Sequence, residues 1–182
     1  MKNRFSLNDI SIRTELRPGD IGDILSMHGR LYYKEYGYSG PFEMYVAQSL
    51  AEFIEIYNPE RSRIWVCEHQ RSSPMDKRSS PANENRTIGT LVLLDRGQAA
   101  QLRYFLFEPE YRGMGLGTKL MESFMEFLRG CGYQSSYLWT TEQQLTAAKL
   151  YKRYGYQLTE EKPSTAFGVP LIEQRYDLIV TA

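Results

Sequence analysis

Apolar and polar residues alternate from Ile10 to Leu16, the period of a strand with one buried face, and Pro18-Gly19 ends the run. Asp20 follows in the position of an N-cap, ahead of a helix carrying Ile21, Ile24, Leu25 and His28. A tyrosine-rich stretch, Tyr32 to Tyr38, closes at Gly40-Pro41. From Phe42 to Tyr57 apolar residues recur at helical spacing (Val46, Leu50, Phe53, Ile54, Tyr57), which predicts a second helix. Arg63 to Glu68 and Thr87 to Leu94 read as two strands of a hairpin. Residues 70–86 between them, rich in Ser, Pro, Asn, Lys and Asp, have little to bury and are expected to form an exposed, mobile tip.

A third strand, Gln101 to Phe107, ends at Glu108-Pro109. The glycine-rich segment Arg112 to Gly117 then opens a helix with Leu116, Leu120, Phe124 and Phe127 on its buried stripe and Gly130 as its stop. Ser136 to Thr140 is a strand, Thr141 caps a helix from Glu142 to about Tyr154, and Gly155 ends it. Tyr156 to Leu158 and Ile172 to Val180 are the last strands. Antiparallel strands first, then strand, helix, strand, helix, strand, predict an α/β (α+β) architecture. Its core is a mixed sheet of about six to seven strands with helices on both faces. No repeat or linker divides the chain, and its 182 residues are expected to form one domain, 1–182.

Composition narrows the function classes. The 22 Lys and Arg balance the 22 Asp and Glu, which argues against a nucleic-acid partner held by bulk electrostatics. Cys67 and Cys131 lack metal-ligand spacing and read as reduced, packed thiols, so no metal is expected. The first residues are polar, and no apolar run is long enough to span a bilayer, so no membrane partner is expected and the location is read as cytoplasmic. A monomer or a homodimer fits equally, the last strand offering an edge for pairing.

The chemistry lies in Arg112-Gly113-Met114-Gly115-Leu116-Gly117, between a strand and a helix. Glycines there let backbone approach a ligand and turn N–H groups outward, and the helix start adds partial positive charge, a seat for a pyrophosphate. Arg112 and Lys119 stand near enough in sequence to add charge pairing. A tight strand-to-helix turn with no ligand is the lesser alternative reading of the same glycines. A dinucleotide-binding reading fails, because the next strand, Ser136 to Trp139, ends in Thr140-Thr141 rather than an acidic residue, and the loop lies behind antiparallel strands.

The run Leu102 to Gly117, with Arg112, Gly115 and Gly117 meeting a Gln/Arg-x-x-Gly-x-Gly/Ala pattern, resembles the signature strand and loop of the GNAT acetyltransferase superfamily. Ala148-Lys149-Leu150-Tyr151-Lys152-Arg153-Tyr154-Gly155-Tyr156 is similar to a second element of that family. His28-Gly29-Arg30-Leu31-Tyr32, Glu35-Tyr36-Gly37, Leu138-Trp139-Thr140 and Phe167-Gly168 resemble the acetyltransferase domain found fused to MarR-type regulators, whose DNA-binding half is absent from this sequence.

The resemblance implies an N-acetyltransferase. Its cosubstrate is acetyl-coenzyme A, and its acceptor is a primary amine of a small molecule, peptide or protein that attacks directly in a ternary complex. It implies a signature strand that bulges and splays from its neighbour. It implies the backbone N–H of Phe105 on the thioester carbonyl and cofactor contacts at Phe105, Phe107, Arg112, Gly113, Met114, Gly115, Leu116, Gly117 and Thr118. Tyr151 matches the tyrosine that protonates the leaving sulfur, although its helical spacing with Ala147 and Tyr154 equally describes a core residue. Acceptor-site candidates are His28, Tyr32, Glu35, Tyr36 and Glu43. The base stays unassigned, because Gln101 occupies a position where some relatives carry a glutamate. That glutamine also keeps open a second function, an acyl-coenzyme A sensor without turnover. Trp139 is read as sheet packing in preference to substrate contact.

Overall fold

A computed structural model describes residues 5–70 and 85–180. Seven strands form one sheet: β1 (Ile10–Arg13), β2 (Arg63–His69), β3 (Arg86–Arg96), β4 (Ala99–Phe107), β5 (Ser135–Thr141), β6 (Gln157–Ser164) and β7 (Leu171–Ile179). Their order is β1-β2-β3-β4-β5-β7-β6, and every pairing is antiparallel except β4 with β5. Helices α1 (Asp20–Tyr36) and α2 (Gly40–Ile56) precede β2, α3 (Leu116–Gly130) crosses from β4 to β5, and α4 (Leu145–Arg153) follows β5. This is the mixed sheet with helices on both faces that the pattern predicts.

Ile88 and Leu91 to Leu94 on β3 are all fully buried, because the sheet is covered on both sides. Leu91 and Leu93 face α3, where Leu120, Phe124 and Leu128 pack; Val92 and Leu94 face α1 and α2, where Ile24, Val46, Leu50 and Phe53 pack. Cys67 is a buried thiol whose ionisation burial pushes up to about 12, so it packs as a small hydrophobe.

Several boundaries differ from the sequence reading for physical reasons. Asp20 is not the cap of α1. Gly19, with φ +99°, takes the N-cap position, and the Asp20 carboxylate accepts from the Arg13 guanidinium and from the Arg17 backbone N–H at 2.6 Å. β1 accordingly ends at Arg13, whose Nε also reaches Glu68 at 2.6 Å. α1 absorbs most of the tyrosine-rich stretch and stops at Gly37, with φ +73°. Thr141 is not a helix cap but the last residue of β5, its hydroxyl bonded to the Tyr38 hydroxyl at 2.9 Å, and α4 begins later, at Leu145. Gly130 lies within α3, and the turn with positive φ falls at Gly132. The strand expected over Tyr156 to Leu158 is β6, which runs on to Ser164 as an exposed edge whose charged residues hide its period. β2 and β3 form the expected hairpin, while residues 71–84 of its predicted tip lie outside the described residues.

Candidate active site

β4 carries the one positive-φ residue other than glycine among the described residues, Tyr104 at φ +51°. Thr90 pairs with Leu106 and Val92 with Arg103, so Tyr104 and Phe105 together oppose Leu91 in a β-bulge. Such a backbone costs on the order of 1–3 kcal/mol and persists only where its surroundings hold it. Here the Thr90 hydroxyl donates to the Tyr104 carbonyl at 2.7 Å. The Tyr104 hydroxyl donates to Ser49 Oγ at 2.9 Å, which donates to the Val46 carbonyl at 2.9 Å.

On the other side of β4 the sheet opens before the bulge is reached. β4 and β5 pair only from Ala99–Ser135 to Gln101–Tyr137, leaving Leu102 to Phe107 without a ladder partner on that side. Two cavities occupy the wedge. The larger, about 640 Å3, is a cleft running over Phe105 and Phe107 to Arg112, Gly113, Gly115 and Thr118, with Gln143 to Ala147 at the start of α4 as its other wall. The smaller, about 100 Å3, lies on the α1–α2 side between His28, Gln101, Arg103, Trp139, Phe167 and Glu173. Tyr32 and Gln144 line both, so the two cavities meet at these side chains.

The cleft fits a pyrophosphate-bearing ligand. Gly113 and Gly115 have φ of +76° and +89°, and a Cβ built at either meets open space. The N–H groups of Gly115, Leu116, Gly117 and Thr118 donate to no backbone carbonyl among the described residues, the helical ladder starting with Lys119 N–H to Gly115 O at 3.0 Å. Free N–H groups, the N-terminal end of the α3 dipole and an open approach form an anion seat. Phe107 is held over β3 by Gly89, where any Cβ would come within 2.1 Å of its ring.

The residues proposed from sequence for the cofactor occupy different places. Phe105, Phe107, Arg112, Gly113, Gly115, Gly117 and Thr118 line the cleft. The Leu116 side chain is buried under α3 and Met114 packs against the same core, so both offer the cleft backbone alone. Arg112 is not a free phosphate ligand. Its Nη1 and Nη2 donate to Glu35 at 2.9 and 2.8 Å, and its Nε donates to the Phe107 carbonyl at 2.9 Å.

The acceptor candidates divide likewise. His28 and Tyr32 line the small cavity, Glu35 and Tyr36 line the cleft, and Glu43 belongs to neither. Its carboxylate lies against Gly29 in a separate depression with Gly22 and Arg30.

His28 Nδ1 stands 2.8 Å from the Ile24 carbonyl, an acceptor, so Nδ1 carries the proton and Nε2 the lone pair. The ring stacks on Tyr32 and meets Tyr104 edge-on. Burial, reinforced by the Arg103 charge, lowers its pKa to about 4, so it is neutral at physiological pH. Burial raises the Tyr32 and Tyr151 phenols, which keeps both protonated. Tyr151 is 4% exposed, its ring near Phe105, Tyr156 and Tyr176, and its hydroxyl makes no hydrogen bond among the described residues.

Several residues of the small cavity escaped the sequence reading, Arg103, Glu173 and Gln144 among them. Arg103 had a signal, a lone charge within the apolar run Leu102 to Phe107. Glu173 and Gln144 had none, because only the β5–β7 pairing and the turn into α4 bring them there. Trp139 lines the cavity with Lys162 4.6 Å above its ring, so it is not sheet packing alone.

The comparisons agree with this architecture. An uncharacterized N-acetyltransferase of Schizosaccharomyces pombe is 25% identical over 155 residues, 84% of this chain and 86% of that protein. An acetyltransferase from Streptococcus agalactiae superposes with a TM-score of 0.66 at 18% identity, covering 96% of this chain and all of that one. The spermidine N-acetyltransferase of Vibrio cholerae, solved with CoA and spermine, superposes with a TM-score of 0.63 at 17% identity, covering 94% of this chain and 96% of that one. The model of the acetyltransferase (GNAT) family matches residues 38–156, and the chain belongs to that family.

Proposed function

We propose that this GNAT N-acetyltransferase moves the acetyl group of acetyl-coenzyme A directly onto a primary amine of a small molecule or peptide, in a ternary complex, with the two cavities of the wedge as donor and acceptor sites. The observation that carries this reading is the meeting of the cavities at Tyr32 and Gln144, on the splayed part of β4.

Acetyl-coenzyme A supplies an activated thioester; over the reaction the acetyl C–S bond gives way to a C–N bond, the amine loses a proton and the sulfur gains one. The free N–H groups of Gly115 to Thr118 hold the diphosphate, and Arg112 positions the loop by anchoring it to Glu35. The Phe105 backbone N–H, at the bulge, is the donor for the acetyl carbonyl oxygen, a role commonly worth about 3–4 kcal/mol when the donor is fixed in advance. Tyr151 donates the proton to the departing sulfur. Its phenol is held neutral, and its hydroxyl has no hydrogen-bond partner among the described residues to compete for that proton. His28 presents an unprotonated Nε2 to the acceptor cavity; a base with so low a pKa orients an amine that has already lost its proton to water better than it abstracts one.

The likeness to the MarR-fused acetyltransferases draws support from His28 and Tyr32, two residues of that motif that line the acceptor cavity. We read the chain as one domain, monomeric or dimeric, acting in the cytoplasm; among the described residues no helix is long and apolar enough to cross a membrane. The sensor reading keeps one observation in its favour, Gln101 in place of a carboxylate, and the Tyr151 hydroxyl, which bonds to nothing among the described residues, weighs against it.

Thiol release from acetyl-coenzyme A on adding a panel of primary amines, with the acetylated product identified by mass, tests the proposal. Turnover of at least one amine above the rate of hydrolysis is expected. Tight binding of acetyl-coenzyme A with no turnover of any amine would favour the sensor.

A further inference from the structure

Among the described residues the acceptor cavity is lined by one carboxylate and one permanent cation, and they differ in how they are matched. Glu173, with its side chain 16% exposed, pairs with Lys162 at 3.3 Å, and that ammonium also rests on Trp139. Arg103 has no carboxylate partner among the described residues. Its Nη2 donates to the Tyr45 hydroxyl at 3.1 Å, and its guanidinium lies 5.1 Å from the Tyr104 ring centre. The carboxylate whose titration feels Arg103, Glu52, has its oxygens on Arg96 at 2.5 and 3.2 Å. The Arg103 charge also reaches His28, whose protonation it opposes. The uncompensated charge of the cavity is therefore positive. An aromatic wall of Tyr45, Trp139 and Phe167 lowers the local dielectric and sharpens its pull on an anion.

We propose that the acceptor is an amine that carries a carboxylate on the same or a neighbouring carbon, an amino acid or its close analogue, and that Arg103 is the residue that selects it. This rests on the small cavity being the acceptor site. The guanidinium offers a planar fork of donors that matches a carboxylate. The space, about 100 Å3, admits a compact head group with its amine directed toward Tyr32 and Gln144, where the cleft begins. A polycation would place its charges against Arg103 with no free carboxylate to answer them.

The test is calorimetric binding of matched pairs, L-phenylalanine against phenethylamine and β-alanine against ethylamine. Each is titrated into the protein with and without saturating coenzyme A, using wild type, Arg103→Met and Arg103→Lys. For at least one pair the carboxylated member is expected to bind wild type at least tenfold more tightly. That ratio should collapse toward one in Arg103→Met and return in part in Arg103→Lys. Equal or tighter binding of the carboxylate-free member in both pairs would overturn the proposal, as would a ratio that survives in Arg103→Met. Thiol release on the same amines separates the two readings. A ratio that depends on Arg103 without any thiol release would leave the recognition standing and sink the transferase. Turnover confined to carboxylate-free amines would do the reverse.

Discussion

Arg112 grips Glu35 with both terminal guanidinium nitrogens, at 2.9 and 2.8 Å, and so joins the last turn of α1 to the loop that opens α3. The pair is partly exposed, at 39% and 24% of the side chains, so its strength is modest, about 1 kcal/mol or less. Its consequence is positional, because Arg112 also holds the Phe107 carbonyl at 2.9 Å.

Replacing Glu35 by Gln separates two roles for Arg112 by sign. If Arg112 orders the loop, Glu35→Gln weakens acetyl-coenzyme A binding about threefold to tenfold by calorimetry. If Arg112 were a phosphate ligand held back by Glu35, the same change would strengthen binding.

Tyr151→Phe removes a hydroxyl that bonds to nothing among the described residues, so unfolding stability should stay within about 0.5 kcal/mol of wild type. The proposed proton donation predicts a fall in kcat of about tenfold to a hundredfold, with the KM for acetyl-coenzyme A nearly unchanged. Unaltered kcat would make Tyr151 a core residue only.

His28 links acidity to stability. Its pKa is about 4 in the fold against 6.5 unfolded, so between those values the unfolded chain binds the extra proton and stability falls as pH falls. The loss accumulates to about 3 kcal/mol by pH 4, at up to about 1.4 kcal/mol per pH unit. His28→Gln should flatten the difference between denaturation midpoints at pH 7 and pH 5. A variant with the same acid sensitivity as wild type would contradict the assignment.

Gly89→Ala would drive a methyl to within 2.1 Å of the Phe107 ring, which cannot retreat without disturbing the cleft. Overpacking of this kind costs about 1–3 kcal/mol, and the expected signature is lower thermal stability together with a raised KM for acetyl-coenzyme A. A stability loss with unchanged KM would mean that Phe107 does not shape the cofactor site.

What the sequence made legible was local. The glycine run between β4 and α3, the continuous apolar run of β3 and the helical stripe of α3 are each written within a few residues, and the structure has them where the pattern puts them. Features decided by distant partners were not legible. Asp20 looks like a cap until Arg13 on β1 claims its carboxylate, and Thr141 looks like one until Tyr38 claims its hydroxyl. The small cavity is the extreme case. His28 comes from α1, Arg103 from β4, Trp139 from β5, Glu173 from β7 and Phe167 from the turn between β6 and β7, and no sequence window contains more than one of the first four. That turn is fixed on α2 by Gly168, which leaves room for Ser39, and by Ser39 N–H donating to the Phe167 carbonyl at 3.1 Å.

The central claim is that the loop from Gly113 to Thr118 binds acetyl-coenzyme A. Its most direct test is calorimetric titration of wild type and Gly115→Glu, with circular dichroism to establish that both are folded. Gly115 has φ +89° and open space where its side chain would be, so a glutamate there adds backbone strain and sets a negative charge in the diphosphate seat. Saturable binding by wild type and none by the folded variant is the predicted result; no binding by well-folded wild type, or equal binding by both, would contradict it.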